Sequence, residues 1–171
     1  MRRSPKDVYL RFIEFEEKAA AIYLKLASHF SSRDRKLSAL WLDMAMEEKQ
    51  HAGLLQFCVA EGMFSPKLPS DAEIKRLTTL FRKAEKQAAS ASVNVNDAFD
   101  LAADLEGSEV NAIYSYLTSP LHASMYLLKR KIVASPKHID HLVTAGKQFN
   151  LSAATVKKLE SLRQASPTRW F

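Results

Sequence analysis

Leu37-Ser38-Ala39-Leu40-Trp41-Leu42-Asp43-Met44-Ala45-Met46-Glu47-Glu48-Lys49-Gln50-His51-Ala52-Gly53-Leu54-Leu55-Gln56-Phe57-Cys58 is the stretch on which the reading of this chain turns. Leu37, Trp41, Met44, Glu48, His51, Leu55 and Cys58 recur every three or four residues, which places them on one stripe of an amphipathic helix. Such a stripe faces a core, and two of its members are a carboxylate and an imidazole. Burying an ionised Glu is costly unless something neutralises it. Glu48 and His51 stand three apart, so both side chains reach the same spot, as two ligands of one metal ion would. A hydrogen-bonded structural pair is the competing reading for these two residues alone.

The same test applied upstream and downstream finds further inward acids. Ser4 and Pro5 cap and open a first helix, which is expected to run over about 5–30 with Tyr9, Phe12, Glu16, Ala20, Tyr23, Ala27 and Phe30 on its buried stripe. Glu14 and Glu17 fall off that stripe and read as solvated. The short connection Ser31-Ser32-Arg33-Asp34 makes the second helix, about 33–61, an antiparallel neighbour of the first. Two prolines in Phe64-Ser65-Pro66-Lys67-Leu68-Pro69 break the chain. Ser70-Asp71-Ala72-Glu73 is then a capping box that opens a crossover helix over about 71–89. Asp97 or Asn96 caps a third bundle helix, about 97–118, whose stripe holds Phe99, Ala102, Glu106, Ile113 and Leu117, with Glu109 three residues beyond Glu106. A fourth, about 121–146, carries Leu128, Ile132, Ser135, His138/Ile139 and Leu142, and Pro136 should kink or restart it. Ser152 caps a short last helix over about 153–162. Each of the two helix pairs begins with an inward Glu and a Tyr (Glu16 and Tyr23; Glu106 and Tyr114) and continues with an inward His, as a duplicated pair would.

Composition agrees with an all-α chain. The 171 residues include only 4 Gly and 6 Pro, and they suffice for one domain, 1–171, with a substantial core. A single cysteine, Cys58, rules out a disulfide framework and any Cys-x-x-Cys site. With no membrane-length apolar run and no signal-peptide core, a cytoplasmic protein is expected. The net charge of +6 is spread over the helices, so a solvated surface is expected before a nucleic-acid footprint; Lys129-Arg130-Lys131 is read in the same way. His29 and His122, near helix ends, are expected at the surface, and Tyr9, Trp41 and Met44 in the core.

Over most of its first 146 residues the chain resembles the rubrerythrin branch of the ferritin-like, di-iron carboxylate superfamily. The resemblance is carried by Glu16-Glu17-Lys18-Ala19-Ala20-Ala21-Ile22-Tyr23, by Glu48-Lys49-Gln50-His51-Ala52 and by Glu106-Gly107-Ser108-Glu109-Val110-Asn111-Ala112-Ile113-Tyr114. It implies a four-helix bundle of two antiparallel pairs joined by a long crossover. Glu16, Glu48, His51 and Glu106 would then be metal ligands, Glu109 a conditional ligand, and Tyr23 and Tyr114 the tyrosines beside the site. The fourth helix departs from the pattern, reading Ser135-Pro136-Lys137-His138-Ile139-Asp140-His141 where a Glu-x-x-His is expected. His141 stands as far after Glu106 as His51 does after Glu16. The apolar stripe instead favours His138, because Leu142 then takes the place that Leu55 has after His51, and His138 is preferred. In either register the fourth-helix Glu is missing.

The resemblance implies a non-haem iron oxidoreductase acting on peroxide or oxygen. Without a rubredoxin-type Cys-x-x-Cys module, its electrons would come from a separate donor. Two iron ions bring about four positive charges that carboxylates must offset, and Glu16, Glu48 and Glu106 are a minimal set. A single ion, or zinc or manganese, is therefore an alternative to a di-iron centre. A homodimer is expected from the resemblance, and neither a membrane nor a nucleic-acid partner is. The other reading is a ferritin-like scaffold with a degenerate site, serving as a structural or interaction protein.

Overall fold

The computed structural model describes residues 3–108, 113–114, 117–120 and 136–165, and all regular structure among them is helical. Helix α1 is Pro5–Phe30. Ser4 accepts the Asp7 N–H, the Asp7 carboxylate accepts the Ser4 N–H, and Pro5 occupies the first turn, where its missing N–H costs nothing. Asp34 accepts the amides of Lys36 and Leu37 and so starts α2, Arg35–Ala60. Gly62, at φ 67°, ends α2: the Gly62 N–H donates to the Val59 carbonyl and the Met63 N–H to that of Cys58. A left-handed residue just past the helix is what that closing pattern requires.

Three contacts fix α1 and α2 as antiparallel. The Ser38 hydroxyl donates to the Ala27 carbonyl, Lys49 pairs with Glu17, and His51 lies against Glu16. Helix α3, Asp71–Ala88, opens with the capping box of Ser70 and Glu73 and runs back parallel to α1. The pairs Arg3–Asp71, Arg11–Thr78 and Lys18–Glu85 step along both helices together. Phe81 stacks on Phe15 at 5.1 Å, seating the apolar face of α3 on the α1 core.

Because α3 returns the chain to the far end of α1, α4 (Val95–Glu106) starts beside His29, whose Nε2 lies 2.9 Å from the Val93 carbonyl oxygen. His29 is thus half-buried at this corner, not simply on the surface as expected. The cap of α4 also corrects the sequence reading. Asn94, not Asn96 or Asp97, is the N-cap; Asp97 is its reciprocal partner, and Asn96 accepts the Ser152 N–H.

The helix expected over about 97–118 is interrupted at Gly107 and Ser108. The last helix, α6 (Ala153–Ala165), approaches closely here, where glycine leaves room for it: a Cβ on Gly107 would stand 2.4 Å from Leu162 Cδ2. Lys158 holds α6 to α4 through Asp104 and the Asp100 carbonyl, and Arg163 pairs with Asp140 of α5, Pro136–Gly146. Residues 121–135, the first part of the expected fourth helix with Ser135 and Lys129-Arg130-Lys131, lie outside the described residues.

Trp41, Tyr9, Tyr23, Phe12, Phe15 and Phe99 are among the largest fully buried side chains. Tyr9 ties distant segments together, donating to the Leu117 carbonyl at 2.6 Å and accepting the Ser65 N–H at 2.8 Å. None of the described helices is long and apolar enough to cross a membrane.

Candidate metal centre

Within this apolar core, the buried titratable acids and bases among the described residues are Glu16, Glu48, His51 and Glu106. Helix periodicity places them there. Glu16 shares the inward stripe of α1 with Phe12 and Tyr23, Glu48 and His51 share that of α2 with Trp41, Met44 and Leu55, and Glu106 closes the stripe of α4. The antiparallel register of α1 and α2 brings the first three together, with one potential donor atom from each lying within 4.8 Å of the other two. His51 Nδ1 is 3.1 Å from Glu48 Oε2 and 3.7 Å from Glu16 Oε2. Across the core, the Tyr23 hydroxyl donates to Glu106 Oε1 at 2.7 Å. The Tyr114 ring covers His51, with centroids 4.3 Å apart.

The protonation pattern follows from burying like charges together. Desolvation pushes the Glu48 carboxyl well above the usual carboxylate range, and the neighbouring Glu16 and Glu106 add to the rise, against a hydrogen bond with His51 that lowers it. Burial by itself would lower the His51 pKa, but the Glu16 and Glu48 carboxylates more than offset it and bring it to about 9. Desolvation and the same carboxylates raise both Tyr23 and Tyr114, so both phenols stay protonated as donors. The carboxylates thus favour a proton on His51, and burial favours one on Glu48.

Three buried polar atoms at or beside the cluster have no hydrogen-bond partner among the described residues: Glu16 Oε1, the Tyr114 hydroxyl and Trp41 Nε1. Trp41 stacks parallel on Tyr23 with centroids 6.0 Å apart. An orphaned carboxylate oxygen in a dry core calls for an additional partner. Carboxylate and imidazole donors converging from two helices suit a divalent cation of the iron, manganese or zinc kind.

Comparison of the chain with protein-family models, with curated proteins and with solved structures found no match. The site therefore stands on its own geometry.

Of the residues singled out from sequence, Glu16, Glu48 and His51 come together in one group, with Glu106 within electrostatic reach of Glu48. His141 does not join them. It is exposed on α5, whose buried residues include Leu142, Val143 and Ala145, so equal spacing along the chain is overruled by the direction in which the helix faces. Glu109 and the His138 side chain lie outside the described residues. Cys58 is buried with its thiol pushed by desolvation to about 11, and it is not among the residues whose donor atoms converge. The link between Tyr23 and Glu106 and the stacking of Trp41 on Tyr23 went unread in the sequence. Trp41 lies two turns before Glu48 on the same stripe, and that was its only signal.

Proposed function

We propose that this chain is a ferritin-like, rubrerythrin-type metal protein in which Glu16, Glu48, His51 and Glu106 hold iron for oxidoreductive chemistry on peroxide or oxygen. The observation that carries the reading is the buried group of Glu16, Glu48 and His51, whose donor atoms converge within 4.8 Å in an otherwise apolar core. The architecture supports it. The antiparallel pair α1 and α2, with α3 running parallel to α1 and α4 antiparallel to it, is compatible with a bundle of the one-crossover kind.

Bound iron would supply one-electron redox chemistry; the residues around it supply the rest. Glu16 offers its unpartnered Oε1, His51 and Glu48 give up their protons to become donors, and Tyr23 orients Glu106 by its hydrogen bond. Tyr114, whose ring covers His51 and whose buried hydroxyl has no partner among the described residues, offers a proton donor to a small oxygen-containing ligand. With one cysteine in the chain, electrons would come from a separate donor protein.

Elemental analysis after anaerobic loading with ferrous iron tests the proposal. Metal retained by the native chain and lost in a Glu48→Ala/His51→Ala variant, together with iron oxidation on addition of peroxide, is the expected result. No retained metal overturns it.

The second reading, a scaffold with a degenerate site, is favoured by a different observation. His51 Nδ1 already stands 3.1 Å from Glu48 Oε2 and 3.7 Å from Glu16 Oε2, so a protonated imidazole offsets carboxylate charge and the cluster can stand without an ion. On that reading no metal is retained, and Glu48→Ala leaves stability unchanged or raised.

A further inference from the structure

Helix α3 carries five bases, Lys75, Arg76, Arg82, Lys83 and Lys86, and all five are exposed. At 100° per residue, Lys75, Arg82, Lys83 and Lys86 fall with Thr79 on an arc of about 100°. That arc lies opposite the face that buries Ile74, Leu77 and Phe81. Arg76 stands at its edge, towards Glu73. The acids of the helix are engaged away from the arc. Asp71 pairs with Arg3 and Glu85 with Lys18 at the seam with α1, and Glu73 closes the capping box on Ser70. Acids and bases that alternate along the sequence are thus sorted by the helix, the acids to the seam or the cap and the bases outward.

We propose that this outward face of α3 binds the phosphate backbone of duplex DNA, without regard to base sequence. The chemistry of the arc selects that partner. Protein–protein interfaces are built on aromatic and apolar anchors and are poor in Lys, the reverse of this composition. Single-stranded nucleic acid is held by bases stacking on aromatic rings, and the arc carries none. A helix that lies on a membrane sinks an apolar face into the lipid, whereas that of α3 is already seated in the core. A phosphate backbone needs only Lys and Arg at intervals, together with room to approach them. Thr79 leaves that room, its hydroxyl turned back on the Lys75 carbonyl in the middle of the arc.

The dimensions fit as well. From Lys75 to Lys86 the bases span about 16 Å of helix, and a helix with its side chains is about 10–12 Å across. The major groove of B-DNA, about 12 Å wide, admits such a rod, while that of A-form RNA is too narrow. Lys75 and Arg82 lie on one edge of the arc and Lys83 on the other, so both walls of the groove meet a cation. None of these residues belongs to the buried group of Glu16, Glu48 and His51, so the surface acts whether or not the chain holds metal.

Fluorescence anisotropy of a labelled DNA duplex of mixed sequence, titrated with the full chain over a salt series, tests this directly. With four phosphates neutralised, the logarithm of the binding constant should fall against that of salt with a slope of about −4. Lys75→Gln/Arg82→Gln/Lys83→Gln should bring the slope to about −1 and cost roughly a hundredfold in affinity at low salt. All three side chains are exposed, so this variant should keep the helical circular dichroism of the parent. Arg35→Gln/Lys36→Gln/Lys157→Gln removes the same charge from exposed positions on α2 and α6, and it should keep the slope of the parent. A duplex left unbound at low salt overturns the proposal. So does an α3 variant that binds like the parent, or a loss just as large in the α2 and α6 variant. Tighter binding to phosphatidylserine vesicles, to a single strand or to an RNA duplex than to duplex DNA overturns it too.

Discussion

The Tyr23 hydroxyl donates a 2.7 Å hydrogen bond to Glu106, joining α1 to α4 through the centre of the molecule. Both partners are buried, and the Tyr23 ring lies parallel to that of Trp41. Tyr23→Phe removes the donor while keeping the ring. The expected cost is about 1–3 kcal/mol of stability, because a buried carboxylate loses a neutral donor. Metal binding should also weaken, since Glu106 loses the bond that orients it. Chemical denaturation and metal titration of the variant check the two effects separately.

The buried acids make the metal-free protein sensitive to pH in a defined direction. His51 has a folded pKa of about 9, above its ordinary value of 6.5, so its protonated form favours the fold. That contribution is complete below the ordinary value and is lost as pH rises through about 9. Glu48, also raised, acts in the same sense from above its ordinary value of 4.5. Metal-free stability should therefore fall as pH rises from about 5 to about 9, by on the order of a few kcal/mol. Urea midpoints measured across that range test the slope. His51→Gln should flatten its upper part.

Metal should reverse the slope. The donors must give up protons to bind a cation, so metal-dependent stabilisation grows with pH. Thermal melts with and without ferrous iron, at two pH values, should show the larger gain at the higher one. Glu48→Gln, a neutral isostere, should melt at or above the native metal-free protein and lose the gain from metal.

Gly107→Ala tests how α6 seats on the end of α4. The added methyl meets Leu162 Cδ2 at 2.4 Å and the Ala103 carbonyl at 2.9 Å, so the Leu162 side chain and the local backbone must give way. A loss of about 1–3 kcal/mol is expected, the usual cost of overpacking. The readout is the denaturation midpoint together with faster amide exchange in α6.

Much of this arrangement could be read from residue spacing, because the stripes of α1 and α2 are long and their caps are local. Ser4, Asp34 and Ser70 each cap a helix through residues two or three positions away, and such signals survive without tertiary context. Glu16, Glu48 and His51 were legible for the same reason, since an acid on an apolar stripe is visible from periodicity alone. The break at Gly107 was not, because the apolar pattern continues through it and the neighbour packed against it, Leu162, is far along the chain. His141 was open to misreading because counting residues between motifs ignores which way a helix faces. Asn94 was passed over as the cap because Asn96 and Asp97 offer the same chemistry two and three residues later.

The short link between α1 and α2 also bears on the order of assembly. Contacts between neighbours in the chain close quickly, while those spanning long loops come late. Glu16, Glu48 and His51 belong to one helical hairpin, whereas Glu106 reaches Tyr23 across 83 residues. A hairpin that closes first carries three donors before α4 has docked. During synthesis, a cation captured at that stage would act as a nucleus for the rest of the fold, and α4 would close over an ion already in place.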